Sequence, residues 1–265
     1  MATASSSGRA SATHTAALDE IARFLDGYLE VEGARDYPHA LNGLQVEGPR
    51  TVERVAVAVD ASEAVIAKAG PWADLLFVHH GLFWGGLQPL TGPLYRRVRG
   101  LIGSRTALYS CHLPLDRHPE VGNAALVARG CGVRDIEPFG DYRGSPVGWM
   151  GEVATVSLAG LRESLANHLG GPVRVVPGGP GQVRKVGIVT GAGGSALPEA
   201  RAAGLDALIT GEVGHHSAVD AREAGVSLLL GGHYATEVGG VRAVAGLLED
   251  HFGVQCRFVD SPTGF

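Results

Sequence analysis

Two segments of this chain end an apolar run in a histidine that is followed four residues later by a carboxylate. They are His112 and Asp116 in Leu-Tyr-Ser-Cys-His-Leu-Pro-Leu-Asp, and His233 and Glu237 in Leu-Leu-Leu-Gly-Gly-His-Tyr-Ala-Thr-Glu. Each pair closes a longer unit with the same order of elements. In the first, residues 54–60 read as a strand, 61–70 as a short helix and 74–80 as a second strand; in the second, the matching pieces are 185–190, 196–203 and 206–210. Asp74 and Asp206 open the second strand of each unit. Both units continue through a helix (93–102 and 215–224) and a third strand (106–110 and 226–230) to the His-x-x-x-acid pair. A glycine-led helix follows (122–129 and 239–250), then Gly132-Val133 or Gly253-Val254, and a last extended piece. Apolar strands alternating with helices of about ten residues imply α/β layers with largely parallel strands, and the repeated order implies duplication. The expected fold is therefore α/β, with internally duplicated units, mixed and largely parallel sheets, and a metal site in the cleft between the two halves. The expected division is a disordered tail over 1–14, a first α/β domain over 15–140, and a linker plus second α/β domain over 141–265.

With 265 residues, 45% of them hydrophobic and 18% charged, the chain has the composition of an ordinary globular protein with room for one large core or two smaller ones. A net charge of −5 gives no electrostatic case for nucleic acid or an anionic membrane. No segment approaches the roughly 18 consecutive apolar residues of a membrane helix. Cys111, Cys131 and Cys256 are far apart and form no Cys-x-x-Cys pair, so a reducing cytoplasm is expected. Residues 1–14 are rich in Ala, Ser and Thr and lack the apolar centre of a secretory signal. Residues 18–29 carry Leu18, Ile21, Phe24, Leu25, Tyr28 and Leu29 at helical spacing.

Imidazole and carboxylate together are the ligand set of Zn, Mn, Fe and related divalent ions. His79 and His80 close the second strand of the first unit, and His112, Asp116, His233 and Glu237 fall at or just past other strand ends. In open α/β sheets the functional crevice lies beyond the carboxyl ends of the strands. This is more than one tetrahedral site needs, so two ions are expected. Neighbouring strand residues point to opposite faces, which assigns His79 and His80 to different ions. His112 either ligates or orients Asp116. His215-His216 open a helix, and His14, His39, His118, His168 and His251 read as ordinary surface histidines. Cys111 reads as a buried structural cysteine.

The runs Val78-His79-His80-Gly81-Leu82-Phe83-Trp84, His112-Leu113-Pro114-Leu115-Asp116 with Gly122-Asn123, Thr210-Gly211-Glu212, and Gly232-His233-Tyr234-Ala235-Thr236-Glu237 closely resemble the NIF-three-like dinuclear metal centre proteins. Members are often called GTP cyclohydrolase I type 2 homologues. The resemblance spans about Leu18 to Val259. It implies two α/β domains and a toroidal homohexamer, a trimer of dimers with metal sites facing its interior. It further implies one ion held by His80, Asp116 and Glu237 and another by His79, His233 and Glu237, with Glu237 as the bridge. Some members carry a large domain between the halves, and the short link over 141–181 implies that this chain lacks it.

The activity expected from these residues is metal-dependent hydrolysis of a nucleotide or other phosphate-containing small molecule. Two divalent ions (Zn, Mn or Fe) would hold a water and lower its pKa, and His112 or Glu212 would move protons. A non-enzymatic metal carrier or scaffold is the competing reading. Gly191-Ala192-Gly193-Gly194-Ser195-Ala196 imitates a dinucleotide fingerprint, with Glu212 about 20 residues on. Glycines also make tight strand-to-helix turns, and the counterpart loop in the first unit is Asp60-Ala61-Ser62.

Overall fold

The computed structural model describes residues 14–265, so all but His14 of the tail expected over 1–14 lies outside the described residues. The chain runs β1 (Ala16–Ala17), α1 (Leu18–Tyr28), β2 (Gly43–Val46), β3 (Thr51–Val52), β4 (Arg54–Asp60), α2 (Glu63–Ala69), β5 (Leu75–His80), α3 (Gly92–Ser104), β6 (Ala107–Ser110), α4 (Leu113–Arg117), α5 (Asn123–Gly130) and β7 (Arg134–Tyr142). It continues through β8 (Ser145–Ser157), α6 (Leu158–Leu169), β9 (Arg174–Val176), β10 (Gln182–Val189), a 3-10 turn (Gly193–Ala196), α7 (Leu197–Ala202), β11 (Ala207–Thr210), α8 (His215–Ala224), β12 (Ser227–Leu230), α9 (His233–Phe252) and β13 (Gln255–Phe258).

Two mixed sheets organise these elements. One has five strands in the order β13-β4-β5-β6-β2, the other six in the order β7-β8-β10-β11-β12-β9. The centre of each is parallel (β13, β4, β5 and β6; β10, β11 and β12), and the flanking pairs are antiparallel. The inner strands β4, β5, β6, β11 and β12 are covered on both faces, which is why they read as largely apolar runs. Along β4, Val55, Val57 and Val59 join the cluster under α1 and α9, whereas Ala56 and Ala58 join the cluster under α2 and α3. Residues Val186 and Ile188 of β10 pack toward α5 and α6, and Leu208 and Leu228 pack toward α7 and α8. Local signals begin two of the helices: Ser62 Oγ accepts from the Val65 N–H at 3.2 Å, and Ser157 Oγ accepts from the Gly160 N–H at 3.1 Å.

The aligned aspartates do the same work in both halves. Asp74 Oδ2 accepts the backbone N–H groups of Glu53 and Arg54, at 3.0 and 2.9 Å, and Asp206 Oδ2 accepts those of Arg184 and Lys185, at 2.8 and 2.9 Å. Each carboxylate thus joins the start of its own strand to the backbone of the preceding one, at the first residue of β4 and at the third and fourth residues of β10. The ladders also correct the alignment of the His-x-x-x-acid pairs. Cys111 N–H donates to the Val78 carbonyl and Gly231 N–H to the Thr210 carbonyl, so His112 is equivalent to Gly232 and not to His233. The second unit carries one more residue before its histidine, and Gly232, at φ 93°, absorbs it in a conformation that L side chains rarely adopt.

The ends of the two units are exchanged between the sheets. β7 pairs with β8 in the six-stranded sheet, and β13 pairs with β4 in the five-stranded one. The helix before each follows it. Ala124, Val127 and Ala128 of α5 pack with the six-stranded sheet, and Val241, Val244 and Leu248 of α9 pack with β4 and β5. A boundary at residue 140 therefore divides the sequence but not the sheets, because β13 finds its open parallel edge only on β4. His118, expected at the surface, is buried. Its ring stacks on Tyr28 at 4.8 Å, Nδ1 accepts the N–H groups of Glu120 and Val121, and Nε2–H donates to the Tyr28 carbonyl. The exchange puts a full core load on α9. Leu248→Ala empties a fully buried position and is expected to cost about 2–5 kcal/mol, read as a lowered urea midpoint of the chelator-treated protein.

Candidate metal centre

The carboxyl ends of β5 and β6 and the first turns of α4 and α9 meet at one point. His79 and His80 end β5, His112 immediately precedes α4, Asp116 lies on α4, and His233 and Glu237 share the first two turns of α9. On α9 the i, i+4 spacing puts His233 and Glu237 on one face. The helix begins at His233 rather than at the glycine pair Gly239-Gly240.

The side chains converge on Glu237. Its Oε1 lies 3.2 Å from His233 Nε2 and 3.6 Å from His79 Nε2, and its Oε2 lies 3.4 Å from His80 Nε2. His79 Nε2 is also 3.6 Å from Asp116 Oδ2. Ligand-type atoms lie within 4.8 Å of one another in three sets: His79 with Asp116 and Glu237; His80 with His233 and Glu237; and His79 with His80 and His112. The first two sets group His79 with Asp116 and His80 with His233, while Glu237 Oε1 is shared by His79 and His233, as the family resemblance implies, and Oε2 faces His80. The strict alternation expected of His79 and His80 fails at this point. Their ring centroids are 4.6 Å apart, and their ligand-type atoms fall in one set with His112.

Each imidazole is held from behind. His79 Nδ1 bonds the Cys111 carbonyl at 2.9 Å, His80 Nδ1 bonds Asp60 at 2.9 Å, His112 Nδ1 bonds Asp36 at 2.7 Å, and His233 Nδ1 bonds Glu212 at 2.8 Å. A carbonyl or carboxylate only accepts, so Nδ1 carries the hydrogen in all four rings and the Nε2 lone pair of the neutral ring faces inward. This is how outer partners orient metal-binding histidines. Asp116 is held in the same manner, its Oδ1 accepting from Asn123 Nδ2 at 2.8 Å and from Thr190 Oγ1 at 3.0 Å. Asn42 serves the His112 side, donating to Asp36 and accepting the His112 N–H.

Sequence reasoning singles out the inward-facing residues and misses most of those behind them. Asp36, Asn42, Asp60, Asn123 and Thr190 are legible only as loop or motif neighbours, with no periodic signal of their own. Glu212, expected to move protons, hydrogen-bonds the back of His233. His215 and His216 belong to none of the three sets. The glycine loop has a local reason. Gly191 is at φ 60°, and a Cβ there would run into Glu237 Oε1. The Gly191 N–H is taken by Thr236 Oγ1 and that of Gly193 by Thr210 Oγ1, so these two amides are satisfied by the protein's own side chains.

The residues fit a divalent cation. His79 Nε2 and Glu237 Oε2 are buried without a hydrogen-bond partner, and such orphans are rare. Ligand atoms about 2.0–2.2 Å from one tetrahedral ion stand roughly 3.4 Å apart, close to the 3.2–3.6 Å separations here. Without a cation the cluster holds protons. Burial opposes charge on His79, but Asp116 and Glu237 outweigh it and raise the ring to about 10. The hydrogen bond with Glu237 leads a rise of His233 to about 9. Burial would push Glu237 up, but the neighbouring imidazoles hold it well below the usual carboxylate range.

An aromatic wall stands over the cluster. Tyr37 stacks on His112 at 5.2 Å, Trp84 meets the same ring edge-on at 4.9 Å, and Tyr142 meets Tyr37 at 5.0 Å. With His80, Asp116, His233 and Glu237 these rings line a cavity of about 190 Å³. Trp84 is placed by a left-handed Phe83 (φ 69°) and by its own indole N–H, which donates to the Gly81 carbonyl at 2.9 Å.

A fold with parallel sheet centres and a His/Asp/Glu cluster at their carboxyl ends defines a class of proteins with a potential metal site, and comparison with known proteins names the family. Residues 16–263 match the family described as Duf34/NIF3 (NGG1p interacting factor 3), and the chain belongs to it. The "GTP cyclohydrolase 1 type 2 homolog" of Halobacterium salinarum is 50% identical over 231 residues, covering 85% of this chain and 91% of that protein. Its namesake in Deinococcus radiodurans is 44% identical over 248 residues, covering 93% and 94%. The crystal structure of TTHA1606 from Thermus thermophilus superposes with a TM-score of 0.88 at 39% identity, covering 94% of this chain and all of that one. Among the described residues no helix is long and apolar enough to cross a membrane.

Two outcomes follow from the cluster. Gly191→Ala drives a methyl group into the Glu237 carboxylate and should weaken Zn(II) binding by at least about 10-fold in a chelator competition. The raised histidines set the sign of a pH effect in metal-free protein. Histidine in the unfolded chain titrates near 6.5, so stabilisation from their protonation is fully present below that pH. It is lost as pH rises through the folded values of about 9 and about 10. Thermal melts in excess chelator should therefore show a falling midpoint between about pH 7 and 10.

Proposed function

We propose that this protein binds two divalent ions, bridged by Glu237, and is a metal-dependent hydrolase of a nucleotide or related phosphate-containing small molecule. The observation that carries the reading is the convergence of three back-anchored imidazoles, His79, His80 and His233, on a shared, buried carboxylate with unpartnered His79 Nε2 and Glu237 Oε2. His79, His80, Asp116, His233 and Glu237 would hold the two ions, with Glu237 shared between them. When bound, such ions lower the pKa of a coordinated water and supply hydroxide near neutral pH. The remaining roles belong to the protein. His112, backed by Asp36 at 2.7 Å, has the carboxylate–imidazole arrangement of a proton carrier. Glu212 fixes the tautomer of His233. Tyr37, Trp84 and Tyr142 offer ring faces beside the cluster, which favours a substrate with a flat heterocycle over a simple phosphate ester.

Elemental analysis of untagged protein should find close to two divalent ions per chain, with most of both lost in Glu237→Ala. Two ions retained in that variant would end the bridging role. Hydrolysis of nucleotides and phosphate esters should stop on chelation and return with Zn, Mn or Fe. A second reading, a non-catalytic metal carrier or scaffold, draws on the way one buried cluster ties β5, α4 and α9 together. It would be favoured if chelation lowered the melting midpoint while no substrate in the panel turned over. The assembly that goes with either reading is a homohexamer, supported by exposed Leu41, Leu87, Leu90, Tyr95 and Ile102, and light scattering tests it. The three free cysteines, Cys111 and Cys131 among them buried, suit a reducing cytoplasm.

A further inference from the structure

The helix that carries His233 and Glu237 starts without a side-chain cap. Four N–H groups at a helix start lack partners within the helix, and here one of them is satisfied from far along the chain. The Tyr234 N–H donates to the Phe265 carbonyl at 3.0 Å. The same tyrosine is engaged twice more by this segment: its hydroxyl donates to Asp260 Oδ1 at 2.8 Å and accepts the Ser261 N–H at 2.9 Å. The segment's other end is fixed to the five-stranded sheet. Phe258 pairs with Val57, the Val259 N–H donates to the Val57 carbonyl, and Lys68 Nζ donates to the Asp260 carbonyl at 3.1 Å. Between these anchors Ser261, Pro262 and Thr263 face Asp60 and His80 across a cavity of about 500 Å³.

We propose that residues 260–265 form a strap that positions the first turn of α9, and with it His233 and Glu237, against the histidines of β5. The proposal rests on the metal reading above. The geometry is specific to that task. Tyr234 lies between the two in sequence, is buried, and presents both its backbone and its hydroxyl to the strap. Gly232, the residue before the helix, leaves room for the chain to return; a Cβ there would stand 3.3 Å from the Phe265 carbonyl. Metal sites tolerate only about 0.2 Å of error in ligand placement. The α9 core residues Val241, Val244 and Leu248 anchor the helix further along, so a loose first turn would spoil the site without unfolding the helix. Phe265 is 74% exposed, and its hydrogen bond to α9 is made by its backbone carbonyl.

Zn(II) affinity by chelator competition and the absorption spectrum of the Co(II)-loaded protein test the strap in the full-length chain. Deletion of residues 261–265 and Tyr234→Phe should each weaken Zn(II) binding about 10-fold and change the Co(II) bands, while Phe265→Ala should match the parent in both. Far-UV circular dichroism of the metal-free forms checks that they are folded. If the deletion unfolds the chain, Tyr234→Phe decides on the same two readouts. Parent-like affinity and spectrum in the folded strap variants would overturn the strap alone. A parent protein that takes up no Zn(II) overturns the metal reading and the strap with it, and that failure is seen before any variant is compared.

Discussion

A carboxylate with almost no exposed surface sits at the centre of this molecule. Removing the Glu237 charge from water costs several kcal/mol unless positive or polar groups offset it, and the three closest are imidazole nitrogens of His79, His80 and His233. Much of the surrounding structure follows from that demand. The histidines need their outer nitrogens tied down, which Cys111, Asp60 and Glu212 do. The backbone at residue 191 needs to pass close to the carboxylate, which excludes any side chain there. A cation would answer the demand better than protons, because it would accept lone pairs from several directions at once, those of His79 Nε2 and Glu237 Oε2 included.

The exchange of chain ends between sheets puts these groups in one place. His233 and Glu237 stand beside Gly191 and Gly211, just past the carboxyl ends of β10 and β11. Because α9 and β13 cross to the five-stranded sheet, the first turn of α9 also meets the carboxyl end of β5. The reciprocal crossing of α5 and β7 brings Asn123 along. It bonds Asp116 through its amide nitrogen and the Gly240 N–H of α9 through its oxygen, at 2.8 and 2.7 Å, so one buried side chain couples α4, α5 and α9. The cluster and the sheet exchange are therefore one structural fact.

Much of the framework is legible in apolar periodicity alone. The strand over 54–60 and the helix over 215–224 occur at the expected residues, because a two-sided apolar run and a run bounded by glycines are local signals. Asp74 and Asp206 are recognisable as equivalent from their place in the repeat, and their matching hydrogen bonds give the reason. The start of α9 is harder to read, since Gly239 and Gly240 look like a helix entrance. In the fold they sit mid-helix, where the Gly240 N–H meets the Asn123 oxygen. His118 looks like a surface residue because nothing in Arg-His-Pro-Glu announces the ring stacking on Tyr28.

The sequence by itself determined the repeated α/β units and the ligand-type residues at their strand ends, since strand period, helix period and side-chain chemistry are local properties. The tertiary structure decided which of those residues meet. It brought His79, His80 and His233 to one carboxylate, shifted the second His-x-x-x-acid pair by one residue against the first, and drew Asp36 and Asp60 in behind the histidines. Those outcomes depend on ladder register and on which sheet a helix covers. Both are set by pairings between residues far apart along the chain, to which its local pattern is blind.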